Sequence, residues 1–162
     1  MEQQTSVIID AGHGGAEPGA MFEGRKEKDD TLRLAVAVGE ILENNGIRVM
    51  YTRTTDVYDT PLEKAMIANG SGADFFVSIH RNAMPVPGTG KGALNLVYEN
   101  TGPGALMAEN IQKNLVKAGF DDLGVQERPG IIVLRRTKMP AVLVEAGFLD
   151  HPEDNRIFDE QF

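Results

Sequence analysis

Along this chain, short β-branched and apolar runs alternate with longer stretches of helical period. Val7-Ile8-Ile9 breaks into glycine at Gly12 and predicts a first strand. Residues 27–45 carry an apolar stripe of Leu34, Ala35, Val38, Ile41 and Leu42 at helical spacing, with Gly46 as the stop. Residues 47–53 predict a second strand, and 61–69 a helix with Pro61 in its first turn. Phe75-Phe76-Val77-Ser78-Ile79-His80 is a third strand, followed over 83–92 by a loop rich in Pro and Gly. Further strands are predicted at 93–98, 131–134 and 141–145, and a helix over 104–118 that ends at Gly119. Pro152 opens a last helix that stops soon, at Phe162, and is expected to be truncated.

This alternation predicts an α/β fold with helices on both faces of the sheet. The strands are near-continuous apolar runs, as expected for mostly parallel strands buried on both sides. Residues 93–98 follow their neighbour without an intervening helix, which suits an antiparallel member. At 162 residues the chain fits one domain over 1–162.

Composition narrows the chemistry. A formal net charge of −8 disfavours nucleic acid and anionic membranes as partners. No apolar run approaches the roughly 20 residues of a membrane span, so membrane insertion is not expected. There are no cysteines, which excludes disulfides and thiolate ligands and leaves His, Asp, Glu or water to hold any metal. The polar start, Met1 to Ser6, is not a signal peptide, so an exported protein would carry its signal outside this sequence.

In open α/β sheets ligands bind at the carboxyl ends of the strands. Here those ends carry Asp10 and His13, Arg53, His80 and Glu145. Glu27 falls on the apolar stripe of its helix, one turn before Thr31, and a carboxylate facing inward needs a partner. Two imidazoles and a carboxylate form a three-ligand zinc set with a position open for water. His13, Glu27 and His80 are the candidate ligands, with Glu145, at the end of Val142-Leu143-Val144, as a proton-transferring carboxylate.

Plainer readings stand beside these. Glu27 could simply complement a helix dipole, and Glu145 could be a buried ion-pair partner of Arg53. His151, beside Pro152, reads as a cap or surface residue, and Asp56 and Asp59 as part of a solvated loop. Gly12, Gly14 and Gly15 match neither phosphate-binding fingerprint. Asn82 could orient His80 or meet substrate, and Arg135 could meet a substrate carboxylate. The loops over 83–92 and 119–130 are expected to shape a groove.

Four ordered motifs resemble one family. Asp10-Ala11-Gly12-His13-Gly14-Gly15 with Glu27-Lys28-Asp29, Thr52-Arg53-Thr54 with Asp56, Ser78-Ile79-His80-Arg81-Asn82-Ala83 and Met139 to Phe148 are similar to the zinc-dependent N-acetylmuramoyl-L-alanine amidases. The resemblance runs from about Val7 to the end. It implies a six-stranded sheet flanked by helices in three layers, one zinc ion on His13, Glu27 and His80, and Glu145 as catalytic acid/base. It implies cleavage of the amide between N-acetylmuramic acid and the L-alanine of the peptidoglycan stem peptide, outside the cytoplasm. A monomer is expected, with a regulatory or wall-anchoring partner or domain. The chain departs from the family at Asp30 and Thr31, where an apolar residue and Asn are usual, and at Lys64, where Arg is common.

Overall fold

The computed structural model describes residues 3–161. Met1 and Glu2 of the polar start, and Phe162 at the expected truncation, lie outside them. The elements are β1 (Ser6–Ala11), β2 (Met21–Phe22), β3 (Arg25–Lys26), α1 (Glu27–Asn44), β4 (Arg48–Tyr51), α2 (Pro61–Ser71), β5 (Phe75–Asn82), β6 (Ala93–Val97), α3 (Gly102–Ala118), β7 (Asp122–Glu127), α4 (Ile132–Arg135), β8 (Ala141–Phe148) and α5 (Pro152–Glu160).

Six strands form one sheet in the order β4-β1-β5-β8-β6-β7. β4, β1, β5 and β8 are parallel, and β6 turns antiparallel to β8 as its helix-free connection predicts. β7 then runs parallel to β6, so the reversed part of the sheet has two strands. The last strand in sequence therefore sits in the interior, between β5 and β6.

Side-chain alternation sorts the core into two layers. Val7, Ile9, Ala11 and Ile79 face α1, while Val97, Val142 and Val144 pack with residues of α3. On the other face Ile8, Phe76, Leu94, Leu96 and Leu143 pack against Ala68 of α2 and Val133 and Leu134 of α4. Ile41, placed by its spacing on the inward stripe of α1, is instead 62% exposed; the stripe faces the sheet through Leu34, Ala35, Val38 and Leu42.

Two expectations are corrected. Residues 131–134 are not a strand: Ile131 caps a single helical turn whose Leu134 and Arg135 N–H groups both donate back to its carbonyl. Four apolar residues carry no period long enough to separate the two conformations, and burial of Val133 and Leu134 under α2 decides. The sixth strand is β7, inside the stretch 119–130 expected to be loop. It lies at the sheet edge with exposed or half-buried side chains, so its sequence, DLGVQE, lacks an apolar signature. The β2–β3 hairpin between His13 and α1 was not expected, and its strands are too short to leave a pattern.

Candidate metal centre

Register builds the site. Asp10 lies opposite Ser78, Ser78 opposite Leu143, and His80 opposite Glu145. Alternation puts Asp10, Ser78, His80 and Glu145 on the face covered by α2 and α4, with Asp10 and His80 near the carboxyl ends of β1 and β5, while β8, expected to end at Glu145, runs on to Phe148. Beyond Glu145 the pairing slips, Asn82 meeting Phe148, and Gly147 takes φ +77°. This bulge lies beside the proposed reacting groups, where re-aiming of a strand is common.

His13 leaves β1 through a strained turn: its own φ is +64°, in the left-handed region. The turn is closed by reciprocal backbone bonds between Gly14 and Glu17. Two glycines make room for the ligands. A Cβ at Gly12 would lie 2.5 Å from Cε1 of His80, and one at Gly19 would lie 2.5 Å from Cδ2 of His13 and 2.7 Å from Oε1 of Glu27.

Glu27 is the first residue of α1 and almost fully buried. Its Oε1 accepts the Ala20 N–H at 2.9 Å and its Oε2 the Arg81 N–H at 3.0 Å. Oε2 also lies 3.1 Å from Nε2 of His13 and 3.2 Å from Nδ1 of His80. The carboxylate is thus aimed at both imidazoles, which goes beyond a dipole role. Burial alone would raise its pKa, but the bonds to His13 and His80 outweigh it and hold the group well below the usual carboxylate range. For His80, burial opposes the charge, while Glu27 and the nearby Glu145 raise the pKa on balance.

One ligand atom from each of His13, Glu27 and His80 lies within 4.8 Å of the others, so the group can hold a metal ion. The donor set also fits one: two imidazole nitrogens converge on a single buried carboxylate oxygen.

Glu145 sits between His80 and Leu94 across the sheet. Its Oε2 is buried and has no hydrogen-bond partner among the described residues. Burial pushes its pKa up to about 7, with Glu27 adding to the rise and His80 opposing it. Arg53 is not its partner, because that guanidinium turns to the carbonyls of Ala11, Gly12 and Lys28.

A cavity of about 450 Å³ opens at His13 and His80, with Asp10 and Lys64 on one side and Ile131, Ile132 and Leu143 on another. Lys64 is buried and pairs with Asp10 at 2.9 Å, while Ser78 and Thr52 donate to the same carboxylate at 2.6 and 2.7 Å. Lys64 stands where the family commonly has Arg, and this is the ion pair that the exchange alters; its place beside Ala65 and Ala68 on the inward face of α2 was a usable signal of its burial. Thr31 supplies a hydroxyl, donated to the Gly12 carbonyl at 2.8 Å.

The remaining candidates lie apart or do simpler things. Asn82 ends β5, and its Oδ1 accepts the Ala83 N–H rather than touching His80. Arg135 is exposed and lines a separate cavity of about 310 Å³ with Met139, Pro140 and Ala141, away from the three ligands. His151 caps α5, its Nδ1 accepting the Glu153 N–H at 3.1 Å. Asp56 is exposed but accepts from Gly15 N–H and Lys28 Nζ, each at 2.8 Å, so it ties the His13 loop to α1.

A family model described as N-acetylmuramoyl-L-alanine amidase matches residues 7–161. The chain belongs to this amidase family. It is 38% identical over 152 residues to the sporulation-specific N-acetylmuramoyl-L-alanine amidase of Bacillus subtilis (strain 168), covering 91% of this chain and 58% of that protein. It is 37% identical over 156 residues to the endolysin of Bacillus phage SPP1, covering 91% and 56%. The chain therefore spans little more than half the length of these curated relatives. The crystal structure of the N-acetylmuramoyl-L-alanine amidase from Clostridium difficile 630 superposes with a TM-score of 0.91 at 34% identity, covering 99% of this chain and 89% of that one. The expected amidase resemblance and the mixed six-stranded sheet are both borne out.

Proposed function

We propose that this chain is a zinc-dependent peptidoglycan amidase that cleaves the bond between N-acetylmuramic acid and the L-alanine of the stem peptide. The observation that carries the reading is the convergence of His13 and His80 on the Glu27 carboxylate, with Glu145 beside His80 in register. Membership of the family supports the substrate.

His13, Glu27 and His80 would hold one zinc ion. The ion would supply Lewis-acid chemistry, acidifying a water and polarising the scissile carbonyl. Glu145 moves the proton. Its carboxylate takes a proton from the attacking water and passes it to the alanine nitrogen as the C–N bond breaks. A pKa near neutrality suits both halves of that transfer. The products are a lactyl carboxylate on the sugar and a free peptide amine.

The cavity beside the cluster is the candidate substrate cleft. Its Ile131 and Ile132 side offers apolar contact, and its Asp10–Lys64 side is rigid and polar. Asn82, at the strand end beyond His80, is retained as a candidate substrate contact. Arg135 is left out of the cleft. Peptidoglycan lies outside the cytoplasmic membrane, so the protein is assigned an extracytoplasmic site of action.

The reading is tested by digesting purified peptidoglycan and weighing the products. Free lactyl ends and intact stem peptides are expected. Shortened peptides still joined to sugar would replace the amidase by a peptidase. Glu145→Gln should abolish turnover while zinc remains bound.

A further inference from the structure

Arg53 is 4% exposed, and none of its hydrogen bonds among the described residues goes to a carboxylate. Burying a guanidinium without direct pairing carries a desolvation penalty that main-chain acceptors must offset. Arg81, equally buried, is satisfied in the ordinary way: its Nη1 pairs with the Asp30 carboxylate at 3.0 Å. Arg53 needs a different account.

Its donors go to particular places. Nε donates to the Ala11 carbonyl at 3.0 Å and Nη1 to the Thr55 carbonyl at 2.9 Å. Nη2 meets the Gly12 carbonyl at 3.1 Å, the Lys28 carbonyl at 3.0 Å and the Thr31 hydroxyl at 3.3 Å. Gly12 immediately precedes His13, and Lys28 immediately follows Glu27. The N–H of Gly12 donates to the Ile79 carbonyl at 2.9 Å, one residue before His80. One guanidinium and one peptide unit thus join the main chain beside all three candidate ligands. A planar fork with several fixed donors can span these carbonyls, whereas the point-like ammonium of lysine cannot.

We propose that Arg53 is a positioning residue for the metal centre, setting the separation of the His13 and Glu27 backbones so that their donor atoms converge before an ion arrives. The inference rests on the metal-binding reading above. Thr31, which donates to the same Gly12 carbonyl, is its helper.

The test is a zinc titration of the purified chain against a chromophoric chelator, well below the melting temperature, with circular dichroism to confirm folding. Arg53→Lys should weaken zinc binding about 10–100-fold, the range seen when groups that orient ligands are lost. Thr31→Val, a milder change that keeps Arg53, should weaken it by a smaller factor. Asp74→Ala is the control: Asp74 holds the Ser6 N–H at the opposite end of β1, so its loss should lower the melting temperature and leave zinc affinity unchanged. Unchanged affinity in the folded Arg53→Lys and Thr31→Val variants overturns the proposal. So does an equal loss in Asp74→Ala, which would mark a general loosening. Should Arg53→Lys not fold, Thr31→Val decides between the same outcomes. An unsubstituted chain that takes up no zinc overturns the metal reading itself.

Discussion

Glu145 lies directly across from His80 in the parallel register of β5 and β8, yet one of its carboxylate oxygens has no hydrogen-bond partner among the described residues. A carboxyl buried this way prefers its neutral form, and its pKa rises to about 7. In its proposed role Glu145 must be ionised to accept a proton from water. Activity should therefore fall as pH drops, with an acid limb between the ordinary glutamate value of 4.5 and about 7. The positive charge of a bound ion moves the limb toward the lower figure. Rates on a soluble muramyl peptide between pH 4 and 9 check this, and a rate flat down to pH 4 excludes the role.

The Asp10–Lys64 pair gives a stability prediction. Burial would raise the Asp10 pKa, but Lys64 leads the groups that bring it below the ordinary aspartate value of 3.8. A depressed folded pKa adds stability above pH 3.8, lost as pH falls through the folded value. Lys64→Met leaves a buried carboxylate uncompensated and should destabilise the fold by about 3–5 kcal/mol at pH 7. Urea denaturation measures it. The deficit should shrink in acid as Asp10 takes up a proton, and adding Asp10→Asn should recover much of it.

Space at the ligands is set by glycine. Gly19→Ala combines a left-handed backbone, φ +70°, with a methyl group driven into His13 and Glu27. The backbone part alone amounts to roughly 1–2 kcal/mol. The variant should fold with a lowered melting temperature and bind substoichiometric zinc by elemental analysis. Gly12→Ala should do the same through His80. Full occupancy in both would mean that the ligand loops are softer than these contacts require.

Metal removal should act on stability as well as turnover. An ion that binds only the folded chain adds about 2.7 kcal/mol at a hundred times its dissociation constant. Treatment with a strong chelator should stop hydrolysis and lower the melting temperature, and stoichiometric zinc should restore both. A melting curve indifferent to the chelator contradicts the assigned ligand set.

What the sequence made legible follows from how each signal arises. Strands buried on both faces write themselves as apolar runs, so β1, β5 and β8 and their polar residues were readable, although β5 runs on to Asn82 and β8 to Phe148, past the ends expected at His80 and Glu145. Glu27 was readable as an acid on an apolar stripe, and Lys64 would have been by the same argument. β7 was hidden because an edge strand needs no apolar face. Residues 131–134 were misread because four apolar residues fit either conformation. Arg53 stood out by position, but its partners are carbonyls, which every residue has, so no pairing pattern pointed to them.

The strand bearing Glu145 is the last among the described residues and enters the sheet between two strands that precede it in sequence. Its contacts span long stretches of sequence, the kind that form late in folding. A chain synthesised only as far as Pro140 would possess His13, Glu27 and His80 and lack Glu145, the proposed proton carrier. Under the proposed mechanism hydrolytic power would arrive only with the completed sheet, and a half-made molecule would carry no means of cutting the cell wall.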